Sequence, residues 1–504
     1  MEGEWQNQFY DKLAKVVAAR KPGDTPRILV ITDVEQSYDD LLAIIFLAEM
    51  HRMGAVTLAG FIANYAPAEK RAKFLRTLLY HLGLPNIPVA VGTEGVEPPA
   101  TRVKNFYSLR NETFEQGPWN KAPFPRGDDL IESLARARHG PPLTVLLLSS
   151  LQDMGEFLSK RKDSSEVLRP RYQAYFRKFV SQGGCTVGQH RTTGELVLTP
   201  VWEARNNCFH PTQAANFYKG LARFNLPSDV WTRDVAKAAS LPCGTVQQLF
   251  DHGPIGEHLR WVWHREEFKV FWDSMNWPST PRRNFDWYLT TRLGLPKGCA
   301  QFNGLKEDYV NWGPAKMGFN VVAPYINVHA YDCCAAIGAV GDDFMRAMGV
   351  LGEMPTYNNR SHQHRVFGRA PEDLGGINGH QMSQVMEVFL LGGLLAAKNN
   401  TTQKIATLQF NPKFSPFRAE GFLKLILPLL QELEKRKAHG DQAGVRQCEG
   451  KLWEVVGRKG KLPTRDDVPY EHIYQLAVKT YADRQREPPE LSRQWVLTVD
   501  LRKV

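Results

Sequence analysis

The stretch "RILVITDVEQSYDDLLAII", Arg27 to Ile45, carries three aspartates close together: Asp33, Asp39 and Asp40. Asp33 ends one apolar run, and the Asp39-Asp40 pair opens the next. Acids this near one another repel unless a positive charge sits among them. Folded toward one point by the loop Val34–Tyr38, they form a set of hard oxygen donors of the kind that Ca2+ and Mg2+ take. The competing account makes Asp39 or Asp40 a helix cap and leaves Asp33 solvated. A cap, however, uses one acid.

The elements that would carry these acids follow from hydrophobic patterning. Ile28–Thr32 is short, apolar and β-branched, the signature of a buried strand. Asp39–Met50 reads as the helix after it, with acids in the first turn where the helix dipole favours them. Strands are expected at Val56–Ile62, Ile87–Val91, Thr144–Leu148 and Phe179–Gly184, with a helix at Ala66–Leu84. Strand and helix in alternation mean an α/β fold: an open, mostly parallel, Rossmann-like sheet with crossover helices. In such sheets ligands bind at the carboxyl ends of the strands, and Asp33 stands just past one. Residues 1–26 read as a helix and a linker. Residues 27–404 read as the α/β domain, interrupted at 240–320 by an aromatic-rich helical insertion ("LRWVWHREEFKVFWDSMNWPS"). Residues 355–380 read as a polar loop, 381–400 as a helix, and 405–504 as a basic, mostly helical extension.

Composition narrows the class. With 43% hydrophobic and 23% charged residues, the 504-residue chain is ordinary globular protein. Its longest apolar runs, such as Phe389–Ala397, fall short of the roughly 20 residues a spanning helix needs. The expectation is therefore a cytoplasmic protein. Seven cysteines with no CxxC pair read as reduced thiols and build no zinc cage. The net charge of +10 favours phosphorylated ligands over neutral ones. No P-loop, GxGxxG or GxSxG is present.

The acidic block resembles the N-terminal signature of the nucleoside hydrolases, the inosine–uridine-preferring N-ribohydrolase family, whose pattern is D-x-D-x-x-x-D-D after a first strand. Ile31 stands at the first Asp, and the loop before Asp39-Asp40 is two residues longer. Further blocks fall in the family's order. "LAGFIANYAPAEK" puts Asn64 after the second strand. "PLTVLLLSSLQDM" puts Ser149 where a Thr lends its carbonyl to the metal. "VSQGGC" matches the strand that ends in Met-Gly-Gly. "WEARNNCFHPTQAANFY" supplies Asn206, with Glu203 beside the position of the family's Glu and His210-Pro211 in place of Asp-Pro. "INVHAYDCCAAIGAV" supplies Asp332, with Tyr331 at the family's His and His329 two residues earlier.

The resemblance implies a metal-dependent hydrolysis of the N-glycosidic bond of a ribonucleoside or related ribosyl compound. Its ligands for Ca2+, or Mg2+, would be Asp33, Asp40, Asp332 and the Ser149 carbonyl. Asp33 would also act as general base. Asp39, Asn64, Asn206 and Glu203 would hold ribose hydroxyls, and Tyr38 would stack on a base or pack against the sheet. Tyr331 or His329 would protonate the leaving base, although a tyrosine with pKa near ~10 is a weak acid for the task. The second reading keeps the fold and drops turnover: a protein that binds a nucleotide or ADP-ribose-type ligand. A third, a phosphatase, rests on "GAVGDDFMRAMG". The expected partner is a small nucleoside or nucleotide-like molecule; a second copy of the chain and a protein on the basic extension are left open. His362 and His364 in "SHQHRVFG" read as part of a surface loop.

Overall fold

The computed structural model describes residues 2–95, 123–137, 140–160, 165–192, 194–276, 284–295, 322–353 and 363–400, and single positions at 319, 432 and 436. The basic extension expected at 405–504 otherwise lies outside the described residues, as does His362. The chain divides into two compact units, one of Met1–Asp11 with Leu395–Val504, the other of Lys12–Leu394. Helix α1 (Glu2–Ala19) begins in the first unit and runs into the second.

The second unit is built on parallel strands and crossover helices. In chain order these are β1 (Arg27–Thr32), α2 (Tyr38–Arg52), β2 (Thr57–Ala63), α3 (Ala68–His81) and β3 (Val89–Val91). Then come α4 (Gly127–Arg136), β4 (Leu143–Leu147), α5 (Gln152–Ser159), α6 (Ser165–Tyr175) and β5 (Phe176–Gln182). A small antiparallel hairpin, β6 (Cys185–Gln189) and β7 (Leu196–Pro200), precedes α7 (Pro211–Phe224) and β8 (Ser228–Trp231). The insertion contributes the long helix α8 (Gly253–Asn276). Last come α9 (Tyr331–Val340), β9 (His364–Phe367) and α10 (Gly379–Asn400). Seven strands form one sheet in the order β9-β8-β5-β4-β1-β2-β3, and every pair in it is parallel.

Strand β1 is buried from Ile28 onward because helices cover both faces of the sheet. On one face Leu29, Ile31, Val145 and Leu147 pack with Phe176, Phe179, Phe217 and Tyr172. On the other, α2 and α9 lie against the strands, and Phe46 of α2 meets Phe344 and Phe389 at ring separations of 6.4 and 6.2 Å. Helix α9 approaches closely because Gly338 has no side chain: a Cβ there would run into the indole of Trp231. That close approach brings the first turn of α9, and with it Asp332, to the end of β1.

One expectation needs correction. Residues 364–367 are not surface loop but the edge strand β9, in register with β8 from His364↔Ser228 to Phe367↔Trp231. His364 is buried, its Nδ1 lying 2.9 Å from the Ser228 hydroxyl. A four-residue strand with only two apolar residues, Val366 and Phe367, carries no run long enough for patterning to register. Strand β8 also escaped notice, being only Ser-Asp-Val-Trp. Among the described residues no helix is long and apolar enough to cross a membrane.

Candidate metal and ligand site

Asp33 lies one residue beyond β1, and Asp39 and Asp40 occupy the first turn of α2. Asp332 enters from the first turn of α9, almost 300 positions away in sequence. Asp39, Asp40 and Asp332 each direct a carboxylate oxygen to a common point, all three within 4.8 Å of one another, and all are buried. Asp33 adjoins them. Thr32 donates its hydroxyl to Asp40 and receives the Val34 amide at 3.1 Å. The Asp332 carboxyl lies within hydrogen-bonding reach of Asp40.

Burial dominates the electrostatics. It pushes Asp33 up to about 6, opposed by the nearby Arg71 charge and assisted by Asp39. Asp39 is raised, again by burial first. Asp40 and Asp332 rise well above the carboxylate range, first from burial and then from the neighbouring acids. Four carboxyl groups thus crowd a dry site in which each disfavours the charge of the others. The donors are all carboxylate oxygens, which is the chemistry of a hard divalent cation.

Arg71, fully buried on α3, ties down the loop that follows β1. It donates to the carbonyls of Asp33 and Val34, both at 2.7 Å, and to those of Tyr65 at 2.9 Å and Ala66 at 3.2 Å. From the other side the insertion reaches in. Glu266 accepts from the Ser37 hydroxyl at 2.9 and 3.0 Å and from the Tyr38 amide at 3.2 Å. Burial first, then the charges of Glu267 and Asp39, lift Glu266 to about 8. Glu267 accepts the Tyr38 phenol at 2.7 Å and lies 3.5 Å from Arg292.

The remaining candidates divide. Ser149 is buried beside the cluster, its hydroxyl 2.5 Å from Asn64 Oδ1 and within hydrogen-bonding reach of Asp33. Asn64 donates its amide hydrogens to the Ser150 carbonyl at 3.0 Å and to Asp153 at 2.7 Å, so its donors are engaged inside the protein. Asp153 also accepts from the Thr93 amide and hydroxyl at 3.0 and 2.9 Å. Asn206 donates to the carbonyls of Leu148 and Gln182 and to the Gln182 side chain, which leaves its Oδ1 for other work. Glu203 sits on the surface in the turn before Asn206. Tyr38 is buried against the insertion rather than presented to an opening. His329 Nε2 is 3.2 Å from the Thr291 carbonyl, and burial followed by the Arg292 charge pulls its pKa down to about 4. Tyr331, half-buried, begins α9 beside Arg292.

The sequence expectation set Asp33, Asp39, Asp40 and Asp332 near one point, and the structure brings Asp39, Asp40 and Asp332 together. That expectation passed over Arg71, Asp153, His258, Glu266, Glu267 and Arg292. The only signal for the insertion's acids was a Glu-Glu pair within an otherwise aromatic helix.

No family model matches the chain, and no curated protein does. Solved structures do. The effector protein XOO4466 matches with a TM-score of 0.59 and 16% identity, over 77% of this chain and 98% of that one. The type III effector protein XopQ, in a complex with adenosine diphosphate ribose, matches with a TM-score of 0.60 and 15% identity, over 78% and 99%. An inosine–guanosine nucleoside hydrolase and a plant nucleoside hydrolase reach TM-scores of only 0.42 and 0.40, at 11% and 12% identity, over 72% of this chain and 98% of each of theirs. The α/β unit with its seven-stranded parallel sheet therefore has the fold of the two effector proteins.

Proposed function

We propose that this protein holds a divalent cation, Ca2+ or Mg2+, on Asp39, Asp40 and Asp332 with Asp33 beside them, and uses it to bind the ribose of a nucleoside- or nucleotide-like ligand and hydrolyse its N-glycosidic bond. The observation that carries this reading is the convergence of three buried carboxylates within 4.8 Å, drawn from two segments far apart in the chain. When bound, a cation at such a site lowers the pKa of water and chelates a sugar diol. The protein's own groups do the rest. Asp33, with a carboxyl brought to about 6, is poised to accept a proton from water near neutral pH. Asn206 Oδ1 is the atom left to receive a ribose hydroxyl. Burial of the site keeps bulk water from a cation-like ribosyl transition state.

The weak step is protonation of the departing base. His329 is neutral at physiological pH and donates to a backbone carbonyl, so it supplies no ready proton, and Tyr331 is left as the nearest candidate. This favours a second reading in which an ADP-ribose-type ligand is bound without turnover. The fold shared with XopQ, solved with adenosine diphosphate ribose, supports the same class of ligand.

Release of ribose from inosine and uridine, and of adenine from ADP-ribose, separates the readings. Ribose that appears with Ca2+ and disappears with chelator or with Asp40→Ala supports hydrolysis. A rise in melting temperature with ADP-ribose and no product over hours supports binding alone. Neither product nor thermal shift refutes both.

A further inference from the structure

Two departures from the nucleoside-hydrolase pattern stand far apart in the sequence: the lengthened loop between Asp33 and Asp39, and the aromatic insertion. In the structure they touch. Glu35, in the lengthened loop, has a φ of 75°, the left-handed region that a residue with a side chain adopts only under constraint. The constraint is visible. His258 Nε2 of α8 donates to Glu35 Oε1 at 2.7 Å, and both side chains are only 1% exposed. Farther along α8, Glu266 takes the Ser37 hydroxyl and the Tyr38 amide, and Glu267 takes the Tyr38 phenol. These contacts span roughly 13 Å of helix, at about 1.5 Å per residue. Arg71 fixes the other margin of the loop by its carbonyls.

We infer that His258 and Glu267 are positioning residues: helix α8 of the insertion clamps the lengthened loop so that Asp33 and the Asp39-Asp40 pair converge. The two departures then form one device. A loop longer than the turn requires has more conformations to lose, and fixing it from outside restores the preorganisation that a cation site needs. Glu35 is the grip. Its side chain reaches α8, and the Gln36 amide donates to the Asp33 carbonyl at 2.8 Å to close the turn around Glu35.

The inference rests on the cation reading above only for its functional consequence, and the test separates the two. The full-length chain, His258→Ala, His258→Gln and Tyr38→Phe are compared by amide hydrogen exchange over residues 33–40 and by calorimetric titration with Ca2+ alone. The clamp requires faster exchange at 33–38 in His258→Ala and Tyr38→Phe, with Ca2+ affinity lowered by about 10- to 100-fold, the range seen when groups that orient metal ligands are removed. His258→Gln, which keeps a donor, recovers part of both. A merely structural histidine lowers the melting temperature without moving Ca2+ affinity, and that result overturns the inference, as does unchanged loop exchange. Wild type that binds no Ca2+, together with faster loop exchange in the variants, upholds the clamp and overturns the cation reading instead. If His258→Ala fails to fold, Tyr38→Phe carries the same comparison, since it removes only the hydroxyl that reaches Glu267.

Discussion

Removing an acid from a cation site ordinarily weakens a protein, but here Asp332→Asn should strengthen it when no cation is present. Asp39, Asp40 and Asp332 lie within 4.8 Å of one another in a dry site. Two unit charges at that separation repel by roughly 3.5 kcal/mol at an effective dielectric constant of about 20. Part of this is already relieved, because burial and the neighbouring acids raise Asp40 and Asp332 well above the carboxylate range, so a net gain of about 1–2 kcal/mol is expected. In a chain of this size that corresponds to a melting temperature higher by roughly 1–2 °C in chelator. The direction with pH follows from linkage. The four folded-state values are raised, so the folded protein keeps protons that the unfolded chain releases. The contribution of the cluster to cation-free stability is greatest below the ordinary carboxylate pKa of about 4 and declines as pH climbs through about 6 for Asp33 and beyond for Asp40 and Asp332. The advantage of the variant therefore widens from about pH 5 to about pH 8. With Ca2+ at a hundredfold excess over its dissociation constant, wild type gains about 2.7 kcal/mol that the variant lacks, and the order of the two melting temperatures reverses. Scanning calorimetry with chelator and with Ca2+ reads both. A variant less stable than wild type in chelator at about pH 8 refutes the reasoning, because the acids would then be stabilising the fold by themselves.

Other consequences are more local. Gly338→Ala should cost about 1–3 kcal/mol, since its methyl must displace the Trp231 indole, and it should weaken Ca2+ binding by shifting Asp332; denaturant melts and titration check the pair. Arg365→Met should destabilise by about 2–4 kcal/mol, because it strips the guanidinium from the buried carboxylate of Asp229 and leaves Lys178 as its remaining cation. Asp342 feels burial, which alone would raise its pKa, but hydrogen bonds and charge from Arg365 outweigh that and leave it lowered. Its contribution is thus present above about pH 4 and fades as pH falls through the depressed value, a loss that Arg365→Met should abolish in acid titrations of stability. Asp153→Ala should free the Asn64 amide and reduce ribosyl-ligand affinity more than Ca2+ affinity, as parallel titrations would reveal.

What the sequence disclosed depended on how each element signals itself. Strands β1, β2 and β4 are apolar, β-branched runs, and patterning finds them to within a residue or two. Helix α2 begins where its acids suggest. Strand β9 (His-Arg-Val-Phe) takes its place in the sheet through backbone pairing with β8 and through the bonds of Arg365 to Asp229 and Asp342, none of which leaves a periodic trace. The site shows the same division. Adjacent acids announce themselves, and Asp332 was reached through the ordered blocks. The groups that hold the loop, Arg71, His258 and Glu267, come from elements whose own sequences speak only of helix. Asn64 illustrates the opposite case: its place after β2 was legible, while its engagement with Asp153 and Ser150 depends on side-chain placement that no spacing encodes.

Strand β1 has neighbours on both sides, and the chain leaves it first toward β2 and β3, then crosses over to β4 and works outward to β9. The connections therefore part company beside β1, and a crevice opens there whatever residues fill it. Its existence is inherited from the winding of the sheet and asks nothing of individual side chains. Loop and insertion can be rewritten around that crevice without disturbing the strands beneath, so that divergence in what is bound need leave little mark on the fold.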